Sequence, residues 1–168
     1  CQDREQVDFE GELAIVIGRA ARDVPLERAP DHIFGYAAAN DVSARWWQKS
    51  GSGGQYLRGK GFDTFCPLSS VTPAARVGDP GALRVVTRVN GQVMQDGPTS
   101  DLIFDCHRLV SELSRGLTLA PGTIILTGTP SGVGVARTPP VFLKHGDDVE
   151  VSIAGVGSVR NHVRFEGR

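Results

Sequence analysis

The chain has 168 residues, with 18 Lys and Arg against 19 Asp and Glu, a formal net charge of −1 and a pI near 6.5. This length suits one domain with a sizeable core, residues 1–168 being read as a single unit. The charge balance offers no basic surplus for nucleic acid or an anionic membrane, and no apolar run approaches the roughly 20 residues of a bilayer-spanning helix.

Glycine at 21 and proline at 10 imply many turns, hence a β-rich fold. Cys1, Cys66 and Cys106 have no metal-type spacing and cannot all pair, so they read as reduced thiols of an intracellular protein. No signal-peptide pattern opens the chain, and Cys1-Gln2-Asp3-Arg4 leads almost at once into a strand, as in a fragment or trimmed chain.

In chain order, Val7 to Gly18 reads as a strand and Pro30 to Phe34 as a turn or short helix. Gly35 to Ala39 reads as a second strand. Asn40-Asp41-Val42-Ser43 carries a helix-start signal, which would put Asp41, Arg45 and Gln48 on one helical face. Gly51 to Gly54 is a loop, and irregular structure follows Phe62 to Leu68. Asn90-Gly91 between two β-prone runs predicts a hairpin from Leu83 to Gln95. Ser100 to Leu117 has helical spacing of Ile103, Leu109, Val110, Leu113 and Leu117. Strands are expected over Thr123 to Thr127, Val149 to Ile153 and around Val159 to Val163, with a glycine-rich loop from Thr127 to Gly134.

The first chemical signal is Glu10-Gly11-Glu12 before the apolar run Leu13 to Ile17. Side chains alternate along a strand, so both glutamates share a face with Ala14 and Val16. If that face points inward, two carboxylates repel and lose hydration, and a divalent cation is the simplest compensation. A strand end with both glutamates in water is the plainer alternative. Asp41, at a strand-to-helix corner, supplies a third acid, enough for one Mg²⁺ or Mn²⁺, with Ca²⁺ in a roomier cage. Taken alone, Asp41 would be an N-cap.

Lys60, in Arg58-Gly59-Lys60-Gly61-Phe62-Asp63, is aimed from a glycine-flanked loop and can stabilise an oxyanion or enolate; otherwise it is a solvated surface lysine. The amides and hydroxyls of the Thr127 to Gly134 loop can cradle a carboxylate, although it lacks the Gly-Lys-Ser/Thr ending of a phosphate loop. Arg45 and Gln48 could orient metal ligands or bind substrate, and Arg45 equally suits a structural ion pair. Trp46 and Trp47 read as packing residues, Gln95 and Asp96 as closing the hairpin, and the four histidines as structural or exposed. No Ser-His-Asp pattern and no obvious general base appear.

Four motifs in one order carry a resemblance: Val7 to Gly18, Asn40 to Arg45, Arg58 to Pro67, and Ile125 to Gly134, with Pro139 to Lys144 in addition. They resemble the fumarylacetoacetate hydrolase family over essentially the whole chain. The resemblance implies an α+β fold, a β-rich mixed roll or sandwich with a few helices, commonly a homodimer. It implies a Mg²⁺, Mn²⁺ or Ca²⁺ held by Glu10, Glu12 and Asp41, catalytic help from Lys60, and substrate contacts by Arg45, Gln48 and Thr129. Gly61 and Trp46 stand where serine and an acidic residue are common in the family. A His/Glu pair on a lid helix is expected upstream of Cys1.

The expected activity is metal-dependent C–C hydrolysis of a 1,3-diketo acid such as an acylpyruvate. Oxaloacetate decarboxylation or oxo-acid keto–enol tautomerisation is the alternative. A non-catalytic binding protein of the same fold is a further one, and a cupin-like module is disfavoured by the lack of a histidine cluster. A small oxo acid as partner, neither nucleic acid nor membrane, and a place in the cytosol or mitochondrial matrix complete the expectation.

Overall fold

The computed structural model describes residues 6–165. Two four-stranded antiparallel sheets face each other. The first comprises β2 (Gly11–Ile17), β3 (Ile33–Asn40), β5 (Thr72–Pro73) and β8 (Ile124–Leu126), in the order β5-β3-β2-β8. The second comprises β6 (Arg84–Val89), β7 (Gln92–Pro98), β9 (Asp148–Ile153) and β10 (Gly157–His162), in the order β10-β9-β6-β7. A short pair, β1 (Val7–Asp8) with β4 (Ser43–Ala44), lies at the entrance to β2. The helices are short: α1 (Arg45–Gln48), α2 (Tyr56–Lys60), α3 (Ala74–Val77) and α4 (Cys106–Leu113). The α+β, β-rich architecture is therefore as the sequence implied.

The main core lies between the sheets. Leu13, Ile15 and Ile17 of β2 meet Val85, Val151 and Ile153 of the other sheet, with Val110 of α4 closing one side. Each such buried side chain contributes about 1.5–3 kcal/mol of transfer free energy. The opposite face of β2 is also covered, since Ala14 packs with Ala37 and Ala39 under Leu68 and Leu126. The face shared by Glu12 and Ala14 is thus buried, but the large core lies on the alternate one.

The hairpin forms as expected: Asn90 and Gly91 take φ of 51° and 79°, the doubly left-handed turn that matches strand twist. Other elements differ from expectation. The first strand is broken at Phe9-Glu10, so Glu10 sits in the gap between β1 and β2 rather than in a continuous strand. Asn40 ends β3, and α1 begins only at Arg45 with Ala44 as its cap residue, so Asp41 is a corner residue and caps no helix. The helix expected over Ser100 to Leu117 shortens to α4, because the Asp105 side chain accepts from the Arg108 amide and starts the helix there.

Candidate functional site

Glu10, Glu12 and Asp41 converge. One carboxylate oxygen from each lies within 4.8 Å of the others. Backbone ties produce this convergence. The Glu10 amide donates to Asn40 Oδ1 at 3.0 Å, and the Asp41 amide donates to the Glu10 carbonyl at 2.8 Å. β2 and β3 are in register, with Gly11 opposite Asn40 and Glu12 opposite Ala39. The break before β2 and the corner after β3 therefore meet at one point. The Gly128 amide donates to Glu12 Oε2 at 2.7 Å and orients the third carboxylate.

Lys60 enters from the end of α2. Its Nζ donates to Glu10 Oε2 at 2.6 Å and Asp41 Oδ2 at 2.5 Å. The segment around Lys60 is a helix, not a loop, and the glycine before it serves packing: a Cβ on Gly59 would sit 2.7 Å from Gln48 Cβ, so α2 crosses α1 at that point. Arg45 occupies the other side of Glu10. Its Nη2 donates to Glu10 Oε1 at 2.6 Å, its Nε to Asp8 Oδ2 at 2.9 Å and its Nη1 to Gln48 Oε1 at 3.1 Å. Arg45 and Gln48 are both buried, and Arg45 forms a structural ion pair, one of the readings its sequence position allowed.

Two residues went unnoticed in the sequence as contributors to this site. Asp8 is completely buried and accepts from the amides of Phe9, Gly134 and Val135 as well as from Arg45. Gln95 belongs to β7, opposite Thr87, and not to the turn; its side chain reaches Gly11 and Thr129. A charged residue between the apolar Val7 and Phe9 was the available signal for Asp8. Gln95 gave none. Asp96 does pair within the hairpin, accepting from Arg84 on the surface.

The electrostatics follow from burial. Desolvation pushes the Glu12 carboxyl up to about 8, the Gly128 amide opposing it and the Asp41 and Glu10 charges adding to it. Burial also raises Asp41, against the pull of Lys60. Burial alone would lower Lys60, but hydrogen bonds to Asp41 and Glu10 outweigh it and hold the ammonium above its usual value. Lys60 is therefore a permanent cation at neutral pH. Three clustered carboxylates meet one lysine and one arginine, and their oxygens are the hard donors that Mg²⁺, Mn²⁺ and Ca²⁺ take. The donor set fits such an ion, and the lysine ammonium already sits between two of its members.

Trp46 and Trp47 pack edge to face at 4.8 Å, and Arg58 lies between the rings of Trp47 and Phe62 at 4.6 and 4.4 Å. A cavity of about 850 Å³ is lined by Val42, Phe62, Phe65, Leu143 and Phe165 among others and by none of the three carboxylates. Asn40 and Gly61, each next in sequence to a residue of the acidic site, form part of its wall. The clustered carboxylates, rather than this cavity, mark the candidate site. Among the described residues no helix is long and apolar enough to cross a membrane.

Residues 1–164 match the family model for the fumarylacetoacetate (FAA) hydrolase C-terminal domain. The mitochondrial oxaloacetate tautomerase FAHD2A of Bos taurus is 47% identical over 162 residues, 96% of this chain and 52% of that protein. A fumarylacetoacetate hydrolase structure from Exiguobacterium antarcticum superposes with a TM-score of 0.90 at 46% identity, over 95% of this chain and 57% of that one. Fumarylpyruvate hydrolase from Pseudomonas aeruginosa, solved with Mn²⁺ and pyruvate, superposes with a TM-score of 0.86 at 33% identity, over 95% of this chain and 66% of that one. The chain spans about half the length of the curated relatives it matches. By a family match along nearly its whole length and by its fold, the chain belongs to the fumarylacetoacetate hydrolase family.

Proposed function

We propose that this chain carries the catalytic centre of a divalent-metal-dependent keto–enol tautomerase acting on a small 2-oxo dicarboxylic acid such as oxaloacetate. The observation that carries the reading is Lys60 Nζ set within 2.6 Å of both Glu10 and Asp41, in an acidic triad suited to a metal. The bovine relative's name, oxaloacetate tautomerase, favours this alternative over the C–C hydrolase that the sequence put first.

Tautomerisation moves one proton between C3 and the C2 oxygen and breaks no bond between heavy atoms. It therefore asks for charge stabilisation at the C2 oxygen more than for an activated water. Glu10, Glu12 and Asp41 would hold the ion. When bound, a divalent cation polarises the keto oxygen and fixes the adjacent carboxylate. Lys60, held charged by Asp41 and Glu10, serves as a cationic donor to the oxygen on which negative charge develops. Arg45 fixes the Glu10 carboxylate against Asp8 and so presets the ligand. We assign the substrate carboxylate to the loop from Thr127 to Gly134, a reading supported by the bonds of its Gly128 amide to Glu12 and of its Thr129 hydroxyl to the Gly11 carbonyl. None of Lys60, Glu10, Glu12 and Asp41 is assigned as the proton acceptor at C3, since Lys60 is cationic and the three carboxylates are taken by the metal role.

C–C hydrolysis is the second reading, supported by the fumarylpyruvate hydrolase that shares the fold. Proton NMR of the full-length protein with oxaloacetate and with an acylpyruvate separates the two. Faster enol-to-keto conversion without new carbon fragments supports the tautomerase, and cleavage of the acylpyruvate supports the hydrolase. The reading also carries a homodimer in the cytosol or mitochondrial matrix, which light scattering and fractionation would check.

A further inference from the structure

The side chain of Gln95 comes from the opposite sheet and ends between the metal-ligand segment and the substrate loop. It is 1% exposed. Oε1 accepts from the Gly11 amide at 2.9 Å, while Nε2 donates to Thr129 Oγ1 at 2.7 Å and to the Pro130 carbonyl at 2.8 Å. The partners fix the orientation of the amide: a backbone N–H can only donate and a carbonyl can only accept, so the oxygen must face Gly11 and the nitrogen Pro130. Thr129 completes a ring by donating its hydroxyl to the Gly11 carbonyl at 2.9 Å. The two polar groups of Gly11, the residue between Glu10 and Glu12, are thus both held, one by Gln95 and one by Thr129.

This ring exists because Gly11 lacks a side chain. A Cβ there would lie 2.0 Å from Thr87 Oγ1 and 3.4 Å from Gln95 Oε1. The second sheet therefore docks its Thr87 and Gln95 side chains against the backbone of the acidic segment, facing away from the carboxylates.

We propose that Gln95 is a positioning residue that sets the distance between the acidic triad and the Thr129–Pro130 stretch, and so determines how tightly the backbone amides of the Thr127 to Gly134 loop grip a substrate carboxylate. The inference rests on the oxo-acid reading of the site. Gln95 touches neither the triad carboxylates nor Lys60; its hydrogen bonds run to backbone and to Thr129. Its loss leaves the three carboxylates in place and frees the loop. Substrate capture is then affected, and cation binding is not.

The test uses the full-length protein and the variants Gln95→Leu, Gln95→Glu and Thr129→Val. Mn²⁺ affinity, oxalate affinity of the Mn²⁺-loaded protein, and KM and kcat for oxaloacetate are measured. Oxalate is an unreactive dicarboxylate, so its binding reports the grip whatever the reaction. Expected is unchanged Mn²⁺ affinity with oxalate binding weakened and KM raised about tenfold, the scale of one lost hydrogen bond to a charged group, while kcat falls less. Gln95→Leu combined with Thr129→Val should be no worse than the weaker single variant, because both break one ring. Unchanged oxalate affinity in folded Gln95 variants overturns the proposal, as does parallel loss of Mn²⁺ and oxalate binding. If neither of these Gln95 variants folds, Gln95→Asn, which keeps the amide but is too short to span Gly11 and Thr129, decides by the same two affinities. Wild-type protein that binds oxalate but turns over no oxo acid refutes the tautomerase reading and leaves this one to the affinities.

Discussion

Lys60 and Asp41, 19 residues apart, form a 2.5 Å ion pair that joins the end of α2 to the corner after β3. The same ammonium reaches Glu10, so one cation bridges two of the three acids that would hold a metal. Charge compensation and chemistry thus converge on a single side chain.

Lys60→Met keeps much of the side chain's bulk and removes its charge. Turnover should fall about 100- to 1,000-fold, the scale for losing one donor to a developing anion. Mn²⁺ binding should persist or tighten, because a competing cation has gone. Steady-state rates and a Mn²⁺ titration on the same preparation check both, and a loss of metal binding with activity would assign Lys60 a structural task instead.

Glu12 makes metal binding proton-linked. Its folded value of about 8 lies above the ordinary 4.5, so the folded metal-free chain holds a proton that the unfolded chain releases. Its contribution to stability is complete below pH 4.5 and is lost as pH rises through about 8. A cation needs the ionised carboxylate and expels that proton. Calorimetric titration with Mn²⁺ at pH 7 should show an enthalpy that varies with the buffer, corresponding to release of about one proton, and affinity should climb with pH up to about 8. A buffer-independent enthalpy would contradict this.

Asp8→Asn should destabilise the fold by about 3 kcal/mol, as expected when one partner of a buried ion pair is removed. Arg45 keeps Glu10 but loses Asp8, and the amides of Gly134 and Val135 lose a charged acceptor. Urea denaturation reads the effect, and a change below about 1 kcal/mol would show that the pair is worth no more than a surface one.

Gly11→Ala should cost at least about 1–3 kcal/mol through overpacking against Thr87, and adding Thr87→Ala should recover part of it. Thr87→Val alone should be neutral within about 1 kcal/mol or stabilising, because the Thr87 hydroxyl is buried without a hydrogen-bond partner among the described residues. Thermal melts of the variants decide; a strongly destabilised Thr87→Val would mean that the hydroxyl has a partner after all.

The sequence disclosed features set by local chemistry. Asn90-Gly91 specified its hairpin because the turn needs only two residues with positive φ. The apolar run after Glu12 identified β2, and the acidic pair pointed to the triad. Elements that depend on distant partners were less legible. Helical spacing over Ser100 to Leu117 overstated α4, since Ile103, Leu113 and Leu117 turned out exposed rather than facing a core. Asp41 looked like a helix cap until β4 intervened. Gln95 and Asp8 make their decisive bonds across 84 and 126 residues, to backbone groups that no side-chain pattern marks.

The most direct test of the central claim is Mn²⁺ binding and oxaloacetate tautomerisation measured side by side in the full-length wild type and Glu12→Ala, each stripped with EDTA and reloaded. Recovery of turnover on reloading wild type only, with Glu12→Ala neither binding Mn²⁺ nor turning over substrate, is the predicted result. Full activity in stripped protein, or in Glu12→Ala, would contradict a metal site built from Glu10, Glu12 and Asp41.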